Sequence, residues 1–184
     1  MNIEQLFTDY YRNNTFQGTE SRSGQGSTVI QTEEVRRQLP LFIKAAGVKS
    51  VLDIPCGDFN WMKTLELEIE SIGADIVLDL VKLDQDRYGS DHRKFIELNL
   101  LHDPLPKVDV IFCRDCLVHF SNSDVIAAVK NIKASGAEYL LTTTFPKRLR
   151  NQNIVTGEWR PINLSESPFR LPVPLEFVFL QHSQ

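Results

Sequence analysis

The segment Asp53-Ile54-Pro55-Cys56-Gly57-Asp58-Phe59-Asn60 follows a short apolar run and sets a glycine between carboxylates. Glycine at a strand end lets backbone approach a ligand where any β-carbon would collide. A helix opening near Asp58 presents free backbone N–H groups, which attract a carboxylate or phosphate. Asp58 is then the cap of that helix, and Asp53 accepts hydrogen bonds from a ligand ammonium or from nearby backbone. Asp75 comes 22 positions after Asp53, closing a second strand-like stretch. A carboxylate there can hold both hydroxyls of a ribose, the device of the dinucleotide-binding fold. Asp79, one helical turn on, competes for that task; Asp75 is preferred because it directly ends the strand. After a third stretch, Asn99 is placed to reach an adenine edge, with Leu98 and Leu100 flanking the ring; the alternative is an ordinary turn residue.

Groups able to move a proton come after a fourth apolar run, VDVIFC, as Arg114-Asp115-Cys116 and then His119. Imidazole titrates near neutral pH, which makes His119 the candidate general base, with a packing role as the rival reading. Asp115, directly after the strand, is the candidate for lining a pocket. The two lie four apart, so on one helical face the carboxylate would orient the imidazole. Cys56, Cys113, Cys116 and His119 have the composition of a zinc site, and the spacing of Cys113 and Cys116 is also that of a redox pair. Cys56 sits inside the glycine turn, however, and structural zinc favours paired knuckles. The thiols therefore read as buried apolar fillers, and no metal is expected. Trp159 and Arg160 lie in a polar, glycine-containing stretch suited to a sugar ring or an anionic acceptor, or else to a loop pinned by its tryptophan. The loop 21–27 (SRSGQGS) reads as a lid or a plain linker.

Alternating strands and helices are needed to bring these residues together. Apolar positions Ile3, Leu6, Phe7, Tyr10 and Tyr11 mark a first helix over 3–13, and residues 13–28 read as a loop. A second helix runs from Thr32 as N-cap to Gly47, with Pro40 ending its first half or kinking it. Strands are expected at 49–54, 70–75, 94–98, 108–113 and 137–143, and a late one at 176–180. Helices are expected from about 58, over 79–88 and over 121–135. Such alternation implies an α/β fold, a Rossmann-like three-layer αβα sandwich with a mostly parallel central sheet. Ligands in such sheets sit at the carboxyl ends of the strands, where the strand order reverses.

Bulk composition narrows the chemistry. The 184 residues suit one domain, 42% hydrophobic and 24% charged. A net charge of −4 disfavours a polyanionic partner, so no nucleic acid is expected; Lys147, Arg148 and Arg150 are the best local basic patch. No apolar run reaches the length that spans a bilayer, and the N-terminus lacks a signal-peptide pattern. Three cysteines argue against a disulfide framework and for a cytoplasmic setting.

The segments VLDIPCGDF, IGAD, FIELNLLHDPLP, DVIFCRDCLVHF and YLLTTTFP occur in that order, and over roughly residues 30–146 the chain resembles class I S-adenosylmethionine-dependent methyltransferases. More narrowly, SGQGS, PCGDFNW, CRDCLVHF and TGEWRPINL are similar to a bacterial methyltransferase-like group of unassigned substrate. The resemblance implies S-adenosylmethionine as cofactor, its methionine part at Asp53, Pro55, Cys56 and Gly57, its ribose at Asp75 and its adenine at Asn99 and Leu100. Arg114, Asp115 and Cys116 would border the transferred methyl, and a small-molecule acceptor is the implied partner. Two departures stand out. The family's first turn carries three alternate glycines where this chain has Pro55, Gly57 and Phe59, and its sheet closes with an antiparallel pair of which only one late strand is in sight. The implied organisation is one domain: an N-terminal helix and lid-like loop (1–30), a cofactor-binding core (31–146) and a substrate-side segment (147–184).

Overall fold

The computed structural model describes residues 2–178. Its helices are α1 (Ile3–Arg12), α2 (Glu33–Ala45), α3 (Leu78–Tyr88) and α4 (Asn122–Ser135). Its strands are β1 (Ser50–Asp53), β2 (Glu70–Asp75), β3 (Arg93–Glu97), β4 (Val110–Cys113) and β5 (Tyr139–Thr142). The strands form one parallel sheet in the order β3-β2-β1-β4-β5, so the order reverses between β1 and β4. The two strands at the centre, β1 and β4, are apolar on both faces, as a sheet covered on both sides requires.

Side-chain alternation sorts the core into two layers. Leu52, Ile111 and Cys113 face one way and meet Val125, Ala128 and Ile132 of α4. Val51, Val110 and Phe112 face the other way and meet Leu39 and Ile43 of α2 and Val81 of α3. Helices thus cover both faces, giving the αβα sandwich. Helix α4 has the punctuation its sequence signals: the Ser121 hydroxyl accepts the Asp124 N–H, and Gly136 closes the helix at φ 74°.

Three expectations fail locally. Pro40 does not end α2, which runs unbroken from Glu33 to Ala45 with the proline inside. The ring is half-exposed, so water can reach the carbonyl that loses its partner. Second, no α-helix opens near Asp58; a single 3-10 turn, Met62–Thr64, stands in its place. Gly57 (φ 57°) and Phe59 (φ 53°) take left-handed backbone, which interrupts a right-handed helix, and Phe59, Trp61 and Met62 are drawn into the core instead. Third, residues 176–178 form no strand, and the rest of the expected 176–180 strand lies outside the described residues. Among the described residues the sheet contains only parallel strands.

Candidate active site

The carboxyl ends of β1, β2 and β4 open on a cavity of about 150 Å³. Asp53, at the end of β1, is buried, and its carboxylate has no hydrogen-bond partner among the described residues. Burial, then the neighbouring Asp75, holds its pKa well above the usual carboxylate range, while Arg114 pulls the other way. Asp75, at the end of β2, accepts the Gly57 N–H at 3.1 Å and the Val77 N–H at 3.0 Å. Burial raises its pKa to about 6 against the pull of these N–H groups. Asp53, Gly57 and Asp75 therefore adjoin one space, which Pro55, Cys56, Leu98, Asn99 and Leu100 also line. The Asn99 side chain accepts the Leu101 N–H at 3.0 Å, closing the turn after β3, and its amide nitrogen has no partner among the described residues. Asp79 is outside this lining; it forms an exposed ion pair with Arg12 at 2.6 Å.

After β4 the chain turns sharply. Asp115 has φ 51°, a left-handed conformation that an aspartate tolerates better than most side chains. The Thr143 hydroxyl, beyond the end of β5, fixes it by accepting the Asp115 N–H and donating to Asp115 Oδ1, both at 2.9 Å. Arg114 pairs with Asp115 Oδ2 at 3.0 Å, donates to the Gly26 carbonyl at 2.8 Å and lies over the Trp61 ring; its Nε is buried and has no partner among the described residues. His119 lines the same cavity, but Asp115 does not orient it, because the intervening turn is 3-10 rather than α. The Glu158 carbonyl does so instead, 3.0 Å from Nδ1. A carbonyl only accepts, so Nδ1 carries the hydrogen and Nε2 holds the lone pair. Burial lowers the imidazole pKa, which keeps the ring neutral at physiological pH.

The roof of the cavity comes from the N-terminal segment: the loop 21–27, for which the sequence offers a lid, and α1 and Phe16, for which it offers none. Ile3, Phe7 and Tyr11 of α1 and Phe16, Arg22, Ser23 and Ser27 of the strap 13–28 all line it. Asp58, released from capping a helix, anchors this strap: Oδ1 accepts from the Ser21 hydroxyl at 2.7 Å and Oδ2 from the Arg22 N–H at 2.8 Å. The Asp58 N–H in turn donates to Ser23 Oγ at 3.1 Å. Asn60 holds the strap a second time, through Glu20 at 2.6 Å and the Ser27 carbonyl at 3.1 Å.

The segment 155–160 pairs with the turn that carries His119, through Gly157 N–H to the His119 carbonyl (2.8 Å) and Arg160 N–H to the Val118 carbonyl (3.0 Å). Arg160 is therefore not an acceptor contact. Its guanidinium is buried and donates to the carbonyls of Gln152 and Leu117 and to Asn122 Oδ1, which binds three loops together. Trp159 is 57% exposed, packs edge-on against Phe145 and does not line the cavity. Cys56, Cys113 and Cys116 are free and buried. Hydrogen bonding to Cys113, then burial, pushes the Cys116 thiol up, and burial pushes up that of Cys56, so neither is poised as a nucleophile. Among the described residues, no three or more His, Cys, Asp or Glu side chains are grouped to hold a metal ion.

No protein-family model matches this chain, and no curated protein does. Solved structures do match. The chain is similar to human N-acetylserotonin methyltransferase in complex with SAM, at TM-score 0.60 and 15% identity over 90% of this chain and 51% of that one. It is similar to magnesium protoporphyrin IX methyltransferase from Synechocystis PCC 6803 with bound SAM, at TM-score 0.57 and 19% identity over 83% and 81%. It is also similar to SAM-bound CalS10, an amino pentose methyltransferase from Micromonospora echinaspora, at TM-score 0.51 and 18% identity over 68% and 56%. The chain spans about half the length of the human enzyme. What these likenesses establish is the architecture: this chain has the class I methyltransferase fold.

Proposed function

We propose that the chain is an S-adenosylmethionine-dependent methyltransferase acting on a small-molecule or sugar-like acceptor. The observation that carries this reading is Asp53, a buried carboxylate that opens on the cavity without a partner among the described residues. A buried charge left unpaired is costly, so the site is built to receive a cation. The residues present fit the cofactor group by group. Asp53 would hold its ammonium, Arg114 with its unpaired Nε its carboxylate, and Asp75 its ribose hydroxyls. Leu98, Leu100 and Asn99 would flank the adenine, with Pro55, Cys56 and Gly57 as the near wall. When bound, the cofactor supplies a methyl carbon whose bond to sulfur breaks, electrons to sulfur, as an acceptor oxygen or nitrogen bonds to it.

The protein's own part is alignment, exclusion of water and one proton. Within 2–30, α1 and the strap act as the lid that roofs the cavity, 31–146 is the core, and 155–160 supports the acceptor side by pairing with the His119 turn. Nε2 of His119 takes the acceptor's proton, and Asp115, clamped by Thr143, shapes the floor beside it. No helix among the described residues is long and apolar enough to cross a membrane, and three free thiols suit a cytoplasmic setting.

Calorimetry with S-adenosylmethionine and S-adenosylhomocysteine tests the reading: both are expected to bind, and absence of binding at millimolar concentration sinks it. One observation favours a noncatalytic module with the same fold: the turn at Gly57 leads into no helix that could offer free amides to the cofactor. Transfer of label from methyl-labelled cofactor to any acceptor decides against that rival.

A further inference from the structure

We infer that the acceptor end of the cavity is shaped for a small planar molecule bearing one ionisable O–H or N–H, a phenol or an arylamine, in preference to a sugar. The inference rests on the cofactor reading above and narrows its acceptor.

The walls are flat and apolar. The Phe16 ring lies 5.1 Å from the His119 imidazole at 50°. Phe7 stands 6.2 Å from Phe120, and all four rings line the cavity. The rings of each pair touch one another, and the faces and edges they turn to the cavity favour another ring packed against them. Gly24 lets Phe16 take this place: at φ 95° it leaves only 3.1 Å between the Phe16 β-carbon and the position a β-carbon of its own would occupy.

The polar groups that follow β4 at this end are few and mostly engaged, and the roof adds the hydroxyls of Tyr11 and Ser27. Asp115 uses one oxygen on Thr143 and the other on Arg114. Arg160 and Trp159, the pair that suggested a sugar, are turned to carbonyls and to solvent. Of Arg114, Asp115 and His119, only His119 keeps an unengaged acceptor atom, Nε2, with its lone pair fixed by the Glu158 carbonyl on the far side of the ring. A sugar would bring several hydroxyls into this space and leave most of them without partners, a cost a phenol or arylamine avoids. A phenol's proton passes to Nε2 as its oxygen takes up the methyl carbon, an arylamine's passes to Nε2 from the methylated ammonium nitrogen, and the imidazolium returns it to solvent.

The test uses the full chain saturated with S-adenosylhomocysteine, titrated with 2-naphthol followed by fluorescence and with methyl β-D-glucopyranoside followed by calorimetry. Saturable binding of naphthol, weakened about tenfold or more by Phe16→Ala while S-adenosylhomocysteine affinity stays within about twofold, supports the inference. Phe16→Leu, which keeps bulk and loses the ring, serves if the alanine variant does not fold. His119→Gln is expected to abolish label transfer to the naphthol oxygen even at saturating naphthol. Glucoside binding without naphthol binding overturns the inference, and so does naphthol affinity indifferent to Phe16. S-adenosylhomocysteine binding with no naphthol binding overturns this inference alone; failure of S-adenosylhomocysteine to bind overturns the cofactor reading and this inference with it.

Discussion

The two ends of the cavity are made in different ways. At one end the walls are strand termini: Asp53 and Asp75 sit in a sheet whose register pairs Asp53 with Gly73 and with Phe112. Their positions are as fixed as the core beneath them; Asp75 already accepts two backbone N–H groups, whereas Asp53 is buried at an energetic cost that only a partner relieves. At the other end the walls are α1 and the strap, held down by side-chain hydrogen bonds from Asp58, Asn60 and Arg114. Segments fastened by a few side-chain bonds open at low cost compared with core strands. Charge recognition is thus built into the rigid part, and shape recognition into the part that can lift.

The largest effect separating the two ends is expected from Asp53→Asn. S-adenosylmethionine affinity should fall roughly 100-fold by calorimetry, since a charge-assisted contact is lost. The ligand-free protein should melt higher, because a carboxyl that burial keeps from ionising gives way to an amide with no proton to lose; about 1 kcal/mol corresponds to roughly 2–4 °C at this size. Unchanged affinity would erase the distinction between the ends.

Next in size is a pH effect confined to the charged end. Asp75 is raised to about 6. Asp84 of α3, buried, with no partner for Oδ2 among the described residues and facing Asp58, Asp75, Arg87 and Lys63, is raised to about 7, chiefly by burial. Native carboxyls that keep protons the unfolded chain has already released make stability fall as pH rises from about 4 through 7. The ligand-free melting temperature should therefore drop between pH 5 and 7.5. The increase produced by S-adenosylmethionine should grow over the same interval as the carboxylates ionise. A melting series at five pH values checks both signs, and a rising ligand-free curve would contradict the assignment.

A smaller effect, at the liftable end, is expected from Asp58→Ala. Losing the anchors of Ser21 and Arg22 costs about 1–2 kcal/mol of closure, so proteolytic cleavage within 13–28 should quicken roughly five- to thirtyfold. The core should melt almost as before. Smallest is Thr143→Val, which frees Asp115 from its clamp; a loss of about threefold in transfer rate is expected, with Thr143→Ser restoring it.

Legibility in the sequence follows the same division. Asp53 and Asp75 could be placed because short apolar runs bounded by turns define strand ends, and parallel topology collects those ends. The helix at Asp58 was misjudged because local propensity gave way to burial of Phe59, Trp61 and Met62. Arg160 was misread because an arginine in a polar loop looks exposed, whereas three carbonyl or amide oxygens from remote segments enclose it. Phe16 left no signal, since its contact with His119 spans more than a hundred residues of chain. The stripe Ile3, Phe7, Tyr11 was visible as a helix face, but nothing local said that it covers a cavity.

Gly57 has a neighbour on each side of its backbone. Its N–H meets the Asp75 carboxylate, while a β-carbon at its α-carbon would stand 2.2 Å from Ser23 Oγ. A single methyl group added there would evict the serine before it disturbed any nucleoside, and the aromatic wall carried by the same strap would go with it. Loss of turnover in Gly57→Ala is thus a poor gauge of cofactor contact unless Ser23→Gly, which clears the collision, is examined beside it.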